Sequence, residues 1–129
     1  MIGSDAYNYI NVLDKAADAS WVRNEVIANN IANVDTPGFK RKDVVFESYL
    51  QQSLSGKGSF DEKVRDINLS GIKPSVYTDY AQLSYRYDDN NVDISTESAN
   101  LAENQIRYYT LLESMSQEFS RIKTALTVK

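Results

Sequence analysis

The chain has 129 residues and a formal net charge of −4 at pH 7, and it contains neither cysteine nor histidine. This predicts one domain and excludes disulfides, thiolate metal sites and histidine-based acid–base chemistry or metal binding. The mildly acidic charge gives no reason to expect a nucleic acid as a partner, and nothing in the composition indicates a cofactor or a small-molecule substrate.

The N-terminus shows no sign of a secretory leader. Residues 1–5, Met-Ile-Gly-Ser-Asp, lack the basic and apolar regions that such a leader needs. No uninterrupted apolar run in the chain is long enough to span a bilayer. On composition alone, we therefore expect a cytosolic protein.

Residues 5–33 are predicted to form a long N-terminal helix. Small and apolar positions recur at helical spacing on one broad side: Leu13, Ala16, Ala17, Ser20, Ile27 and Ile31. Alanine and serine bury little area, so a pair of helices built on this side is marginal in isolation. Trp21 and Val22 fall partly off that side, which leaves two interpretations: a second packed face, or exposure to solvent.

The helix ends in a stretch of asparagines and turn residues: Asn29, Asn30, Ile31, Asn33, Asp35, Thr36, Pro37, Gly38 and Phe39. Asn33 tolerates a left-handed C-cap, and Thr36, which precedes a proline, is disfavoured in a helix. Pro37-Gly38 fits a type II turn with a positive φ at Gly38, after which Phe39 is an apolar anchor. Asparagine is a poor helix former, so its density here predicts side chains used for capping or contacts. An ordinary helix stop is the alternative.

Residues 43–54 are predicted to form a short helix that has Asp43 as its N-cap. Apolar side chains spaced by four give it one buried edge: Phe46, Leu50 and Leu54. Residues 55–59, Ser-Gly-Lys-Gly-Ser, form a flexible break.

The following stretch, residues 60–92, is the least regular part of the sequence. Residues 74–80 and 83–87 are rich in tyrosine, valine and threonine with partial alternation, which favours a short β-hairpin. A mobile loop has nearly the same composition.

The acidic run near residue 90 resembles a calcium loop only in part. Asp89, Asn91 and Asp93 match three ligand positions of an EF-hand, but Ile94 and Asn100 stand where glycine and glutamate are required. We therefore predict no metal site, and interpret the run as an acidic turn before a helix N-terminus.

Residues 93–127 are predicted to form a C-terminal helix with a heptad seam. Its seam positions alternate spacings of three and four residues: Leu101, Gln105, Tyr108, Leu112, Met115, Phe119 and Ile122. Gln105 either fixes the register against a partner or lies at an exposed edge of the seam.

Together these elements predict a mainly α fold with a single domain over residues 1–129. Two long terminal helices pack as an antiparallel coiled-coil-like pair. The turn and irregular middle, residues 34–92, hold a short helix and a small β-hairpin. Because the first helix offers little area, we expect neighbouring copies or partners to complete the fold.

Two blocks of the sequence carry a family resemblance. Residues 29–40, Asn-Asn-Ile-Ala-Asn-Val-Asp-Thr-Pro-Gly-Phe-Lys, resemble the N-terminal signature of flagellar rod and hook axial proteins, and the Asp-Thr-Pro-Gly form is similar to that of the proximal rod proteins of the FlgB type. Residues 90–94, Asn-Asn-Val-Asp-Ile, and residues 101–108 resemble the C-terminal block of the same proteins.

The resemblance implies a structural subunit of the flagellar basal-body rod and no enzyme. Such a subunit lies in the proximal rod, the part of the drive shaft that transmits torque from the membrane ring to the distal rod and hook. The implied partners are copies of itself, other flagellar rod proteins, the adaptor protein and membrane ring at the rod base, and the flagellar type III export apparatus, which exports such proteins without a cleaved signal peptide. The alternative is a cytosolic helical adaptor or export chaperone.

Overall fold

Two long helices dominate the computed structural model, which describes residues 5–80 and 86–127. After a 3-10 turn at Asp5–Tyr7, helix α1 spans Asn8–Ala32, and helix α4 spans Ile94–Thr127. The end of α1 meets the start of α4, because Asn30 contacts Glu97 while Ser20 contacts Asn104. The predicted antiparallel pair is therefore confirmed.

Between the long helices, the middle of the chain forms short elements. They are strand β1 at Lys42–Val45, helix α2 at Glu47–Ser53, helix α3 at Phe60–Asp66, a 3-10 turn at Leu69–Gly71, and strand β2 at Ser75–Thr78. The strands pair antiparallel, with Lys42 opposite Thr78 and Val45 opposite Ser75. A small two-stranded sheet and short helices thus occupy the middle, as the sequence indicates.

The details of this middle differ from the prediction in two places. The helix expected over residues 43–54 begins only at Glu47, because the β-branched pair Val44-Val45 pairs with β2. Asp43 is therefore a strand residue and no N-cap. The strand expected within residues 74–80 exists but pairs with β1; the partner expected at 83–87 falls largely outside the described residues.

Helix α3 was not predicted, although its start is marked in the sequence. Ser59 and Glu62 form a reciprocal capping box: the Ser59 hydroxyl accepts from the Glu62 amide at 3.3 Å, and the Glu62 carboxylate accepts from the Ser59 amide at 2.9 Å. A Ser-x-x-Glu spacing before a helix is the sequence pattern of this motif.

Helix α1 is packed on two adjacent sides. One side faces α4, and the other carries Ala19, which packs in an apolar cluster formed with the middle of the chain. Besides Ala19, that cluster contains Phe46, Leu69 and Ile72, with Val12, Ala16, Leu50 and Ile67 against it. The small side chains of α1 therefore allow close approach on both sides. Part of the apolar area that we expected other chains to bury on α1 is buried by the middle of this chain. Trp21 remains half exposed.

Replacing Phe46 by alanine should lower the free energy of unfolding by ~3–5 kcal/mol, because a buried ring leaves a cavity in this cluster. The matched control is Phe60→Ala, since that ring is more than half exposed and its loss should cost about 1 kcal/mol or less. Urea unfolding followed by circular dichroism measures both. Equal losses would mean that the middle does not pack on α1 in solution.

Candidate functional site

The turn that follows α1 has the geometry expected of Pro-Gly. The Phe39 amide donates to the Thr36 carbonyl at 3.2 Å, and Gly38 has a φ of +72°. A hydrogen bond across four residues with a positive φ at the third is the arrangement of a type II turn. The Gly38 amide also donates to the Asp88 carbonyl at 2.6 Å, so the turn lies against the segment before α4.

Asn33 caps α1 without a left-handed backbone. Its φ is −104°, and its amide reaches the carbonyls of Asn29 and Asn30 at 3.1 and 3.2 Å. The Asn33 side chain donates to the Asn29 carbonyl at 2.8 Å and accepts from the Thr36 hydroxyl at 3.1 Å. The expected capping role is therefore filled by the side chain, and the left-handed conformation is not used.

Asn30 is fully buried and joins three elements. Its side-chain oxygen accepts from the Lys42 amide at 2.9 Å, while its nitrogen donates to the Lys42 carbonyl at 2.8 Å and to Glu97 at 3.1 Å. The side-chain amide thus pairs with the backbone of β1 as a neighbouring strand would. This contact fixes where the chain enters the sheet.

Two asparagines before α4 bind the other side of the turn. The Asn90 nitrogen lies 2.8–3.0 Å from the carbonyls of Asn33, Val34 and Thr36, in the turn that follows α1. Asn91 accepts from the Arg41 amide and donates to the Asp79 carbonyl, each at 2.7 Å, and its backbone amide donates to the Phe39 carbonyl.

Arg41 is the charged centre of this arrangement. Its guanidinium donates to Glu97 at 2.6 Å, to Asp79 at 2.7 Å and to Asp43 at 3.3 Å. Arg41 is 5% exposed and Glu97 1%. Burial disfavours the charged guanidinium, but the hydrogen bonds to Glu97 and Asp79 outweigh it and raise the pKa of Arg41. We call the five residues that meet here the junction cluster: Asn30, Arg41, Asp79, Asn91 and Glu97.

A second ion-pair group lies beside the cluster and joins α1, α2 and α4. Glu47 accepts from Arg23 at 2.5 and 2.6 Å and from Arg107 at 2.8 Å. The hydrogen bond from Arg23 lowers the pKa of Glu47 from 4.5 to about 2. The contact is therefore complete above about pH 4.5 and weakens only as the pH falls towards 2. Because Glu47 is half exposed, its contribution to stability is small.

The acidic turn before α4 begins that helix, as the sequence predicts. The Asp93 carboxylate accepts from the amides of Ser95 and Thr96 and from the Thr96 hydroxyl. The hydrogen bond from the Thr96 amide is the main reason why the pKa of Asp93 is lowered. Within residues 5–80 and 86–127, no three acidic side chains are grouped so that they could hold a metal ion.

The other residues of the turn lie nearer the surface. Asn29, Asp35, Thr36 and Pro37 are exposed, and the Asp35 carboxylate lies 3.9 Å from the guanidinium of Arg86. Ile31 and Phe39 are half buried. The turn therefore divides into an inner part that holds the junction and an outer part that is free to meet another molecule.

The predicted seam of α4 is only half on the inner face. Leu101, Tyr108, Met115 and Ile122 are half buried, but Gln105, Leu112 and Phe119 are exposed. The alternate inner positions lie one residue earlier in the chain and are partly polar: Glu97, Asn104, Leu111 and Glu118. Apolar periodicity does not detect polar inner positions such as Glu97 and Asn104, and contact of the exposed half of the seam with a neighbouring subunit stays a prediction.

An apolar row lies on the outside of α4. Leu112 is 39% exposed, Phe119 48% and Leu126 81%, and they recur every seven residues. A groove runs beside them, lined by Leu112, Met115, Ser116, Phe119, Ser120 and Lys123. We call Leu112, Phe119 and Leu126 the outer stripe. Heptad spacing is the pattern that packs against another helix.

The sequence did not reveal the roles of Arg41, Asp79 and Glu97. Arg41 stands between two lysines, and Glu97 lies 56 residues further along the chain, so no local spacing connects them. Asn90 was singled out only by the resemblance of its block, and Asn91 by that resemblance and by the partial calcium-loop pattern, neither of which indicates these contacts. None of the described helices has a stretch apolar enough and long enough to cross a membrane.

Comparison with known proteins shows that the chain is similar to flagellar basal body rod proteins. A family model described as flagella basal body rod protein matches residues 10–40. A flagellar basal body rod protein FlgB of Bacillus subtilis (strain 168) is 38% identical over 120 residues, covering 92% of each chain. Proteins of the same name from Borrelia hermsii and Borreliella burgdorferi are 36% and 32% identical, each match covering 94% of this chain and 92% of the relative.

Glu97→Gln should lower the free energy of unfolding by about 3 kcal/mol or more, because it leaves a buried guanidinium without its closest carboxylate. Glutamine has a single acceptor oxygen, so its NH₂ group must also face either Arg41 or Asn30, both donors. The control is Glu103→Gln, an exposed i,i+4 partner of Arg107 whose loss should cost ~0.5 kcal/mol or less. Chemical unfolding that found the two variants alike would refute the role assigned to the junction cluster.

Gly38→Val should destabilise by ~1–3 kcal/mol through the backbone alone. A Cβ at Gly38 would meet no described atom within 4 Å, so the Cβ itself adds no steric clash. The Gly38→Asn variant should lose clearly less stability than the Gly38→Val variant, since asparagine tolerates positive φ. Thermal unfolding of both variants measures the difference, and a valine variant as stable as the asparagine variant would argue against the positive φ in solution.

Proposed function

The chain belongs to the FlgB family of flagellar basal body rod proteins, and from this premise we propose that it builds the proximal rod. In this role its copies form the part of the drive shaft that transmits torque from the membrane ring to the distal rod and hook. The role is structural and involves no catalytic step. Its location is the basal-body rod, outside the cytoplasm.

The observation that carries the proposal is the outer stripe. Leu112 and Phe119 expose apolar area on a helix whose inner face packs on α1, and Leu126 continues their heptad spacing beyond the packed part. Covering these side chains would remove apolar area from water, which favours association with another helix. We propose that the helix belongs to a neighbouring copy or to another rod protein.

The junction cluster supports the mechanical part of the proposal. Arg41 and Glu97 connect the turn after α1 to the first turn of α4, in a buried and hydrogen-bonded environment. Close-packed interiors have low compressibility and transmit strain. A load that reaches one long helix would therefore pass to the other at this end of the molecule.

The exposed part of the turn is the surface that we assign to partners at the rod base. Asn29, Asp35, Thr36 and Pro37 project from a backbone held by Asn30 and Asn90. Rigid backbones with exposed polar side chains lower the entropic cost of binding. We propose that the adaptor protein and membrane ring, or the next rod protein, contact this surface.

We further propose that the flagellar type III export apparatus delivers the chain, without a cleaved signal peptide. Export in an unfolded form is easier for a protein of modest stability. The inner sides of α1 bury Ala17, Ala19 and Ser20, small residues that add little to the free energy of folding.

Leu112→Asp should abolish motility and remove the protein from purified basal bodies, because a carboxylate within the outer stripe opposes burial. The isolated variant should keep its helical content, since Leu112 is already 39% exposed in the single chain. The control is Gln117→Asp, an exposed position of the same helix outside the stripe.

The measurements are swimming in soft agar and the amount of protein that sediments with basal bodies. Normal swimming of the Leu112→Asp strain would overturn the interface. Wild-type protein found only in the cytosol would overturn the rod assignment itself and favour an adaptor or chaperone.

A further inference from the structure

One edge of the small sheet is occupied by side chains. On β1, the Lys42 amide and carbonyl are bound by the Asn30 side chain of α1 at 2.9 and 2.8 Å, so they point away from β2. The Val44 carbonyl accepts from Arg23 at 3.1 Å, and the Val44 amide donates to the Asp43 carboxylate at 2.7 Å. The backbone groups that Lys42 and Val44 direct away from β2 therefore all have partners, and this edge is closed to another strand.

The opposite edge of the sheet, on β2, has no such partners. The register places Thr78 opposite Lys42 and Val76 opposite Val44. In an antiparallel pair, opposite residues that do not bond to each other direct their amides and carbonyls outward on both strands. The amides and carbonyls of Val76 and Thr78 therefore point away from β1, and within residues 5–80 and 86–127 no hydrogen bond reaches them. We call these four groups the outer edge of β2.

The side chains of β2 leave its outer edge accessible. Residues 75–77 are exposed, with Val76 at 47% and Tyr77 at 44%, and Thr78 is half buried. Charged side chains are a common protection of a free strand edge, but Ser75–Thr78 contains none. An edge of this kind binds another extended chain through main-chain hydrogen bonds.

We propose that the outer edge of β2 pairs with the same edge of a second copy of this chain, antiparallel and centred on Tyr77. In this register Val76 of one copy lies opposite Thr78 of the other, and each such pair exchanges two hydrogen bonds. The pairing satisfies all the outward groups of both strands. The two Tyr77 side chains then lie opposite each other, and aromatic cross-strand pairs of this kind stabilise sheets.

Charge complementarity supports a second copy as the occupant. The register places Ser75 of one copy opposite Asp79 of the other, and Lys73 lies diagonal to the same carboxylate, within reach of a long side chain. Lys73 is exposed, and no ion pair among the described residues includes it. The two-fold axis through Tyr77 makes this contact twice.

The proposed pairing is separate from the contact assigned to the outer stripe. A two-fold contact uses the same surface on both copies and is complete with two chains, so it does not extend a filament. It needs no other rod protein. The isolated full chain is therefore sufficient to test it, whatever the outcome of the rod experiments.

Disulfide trapping tests the register, because the chain contains no cysteine of its own. The two copies of residue 77 would have Cα atoms about 4.5 Å apart, within the range that a disulfide spans. The matched control is Ser75→Cys on the same exposed strand, since two copies of residue 75 would lie ~13 Å apart, too far for a disulfide. In a glutathione redox buffer, Tyr77→Cys should form covalent dimers at least about tenfold faster than Ser75→Cys. Equal rates would overturn the proposal.

A proline tests whether main-chain hydrogen bonds hold the two copies together. Val76→Pro removes an outward amide and leaves the bonds between β1 and β2 intact, which an edge strand tolerates. Added to Tyr77→Cys, it should reduce cross-linking to the rate of Ser75→Cys without changing the circular dichroism. Val76→Thr is the control, because it keeps the amide and should leave cross-linking fast. Cross-linking that the proline does not slow would contradict pairing through this edge.

Amide exchange tests the pairing in the unmodified chain. The Val76 and Thr78 amides should exchange more slowly as the protein concentration rises, because only the second copy bonds to them. The Tyr77 amide faces β1 and is the internal control, since its protection comes from within one chain. Exchange of Val76 and Thr78 that does not depend on concentration would show that the outer edge stays solvated, and would overturn the proposal even if the cysteine variant cross-links.

Discussion

The structure depends on one buried positive charge. A guanidinium that is removed from water is tolerated only with carboxylates and hydrogen bonds around it, and Arg41 obtains them from Glu97 and Asp79. These residues lie on the first turn of α4 and just after β2, far from Arg41 in sequence. Their meeting fixes the end of α1, the small sheet and the start of α4 relative to one another. Replacing such an ion pair by well-packed apolar residues is often neutral for stability, whereas removing one partner alone is costly because a buried charge is left unpaired.

The molecule is therefore built differently at its two ends. Around the junction cluster, the Asn90 side chain binds carbonyls of the turn that follows α1, and the middle of the chain covers the second side of that helix. Towards the other end, α4 is less covered, and beyond Ile122 its described side chains are exposed. The junction cluster fixes the geometry at one end, and α4 exposes apolar area at the other. This arrangement is expected of a subunit that completes its packing in an assembly.

Much of this fold was predictable because its signals are local. Apolar periodicity gave both long helices, and Pro37-Gly38 gave the turn. The strand over Lys42–Val45 was not predicted, because it is stabilised by Asn30 and by β2. Both are distant in the sequence, so no local pattern indicates these contacts.

The inner face of α4 also includes the polar side chains Glu97 and Asn104, which apolar periodicity does not detect. Helix α3 is different, since its Ser59–Glu62 capping box could have been identified from the sequence.

Because the junction cluster connects them, we expect the turn, the sheet and both long helices to open as one cooperative unit, and native-state amide exchange measures this. The amides of Gly38, Lys42 and Asn91 are bonded across the junction, to Asp88, Asn30 and Phe39. Their opening free energies should lie within about 1 kcal/mol of those in the middle of α1. Opening of these three amides at far lower free energy, while α1 stays protected, would show that the turn opens independently of the helices and would refute this coupling.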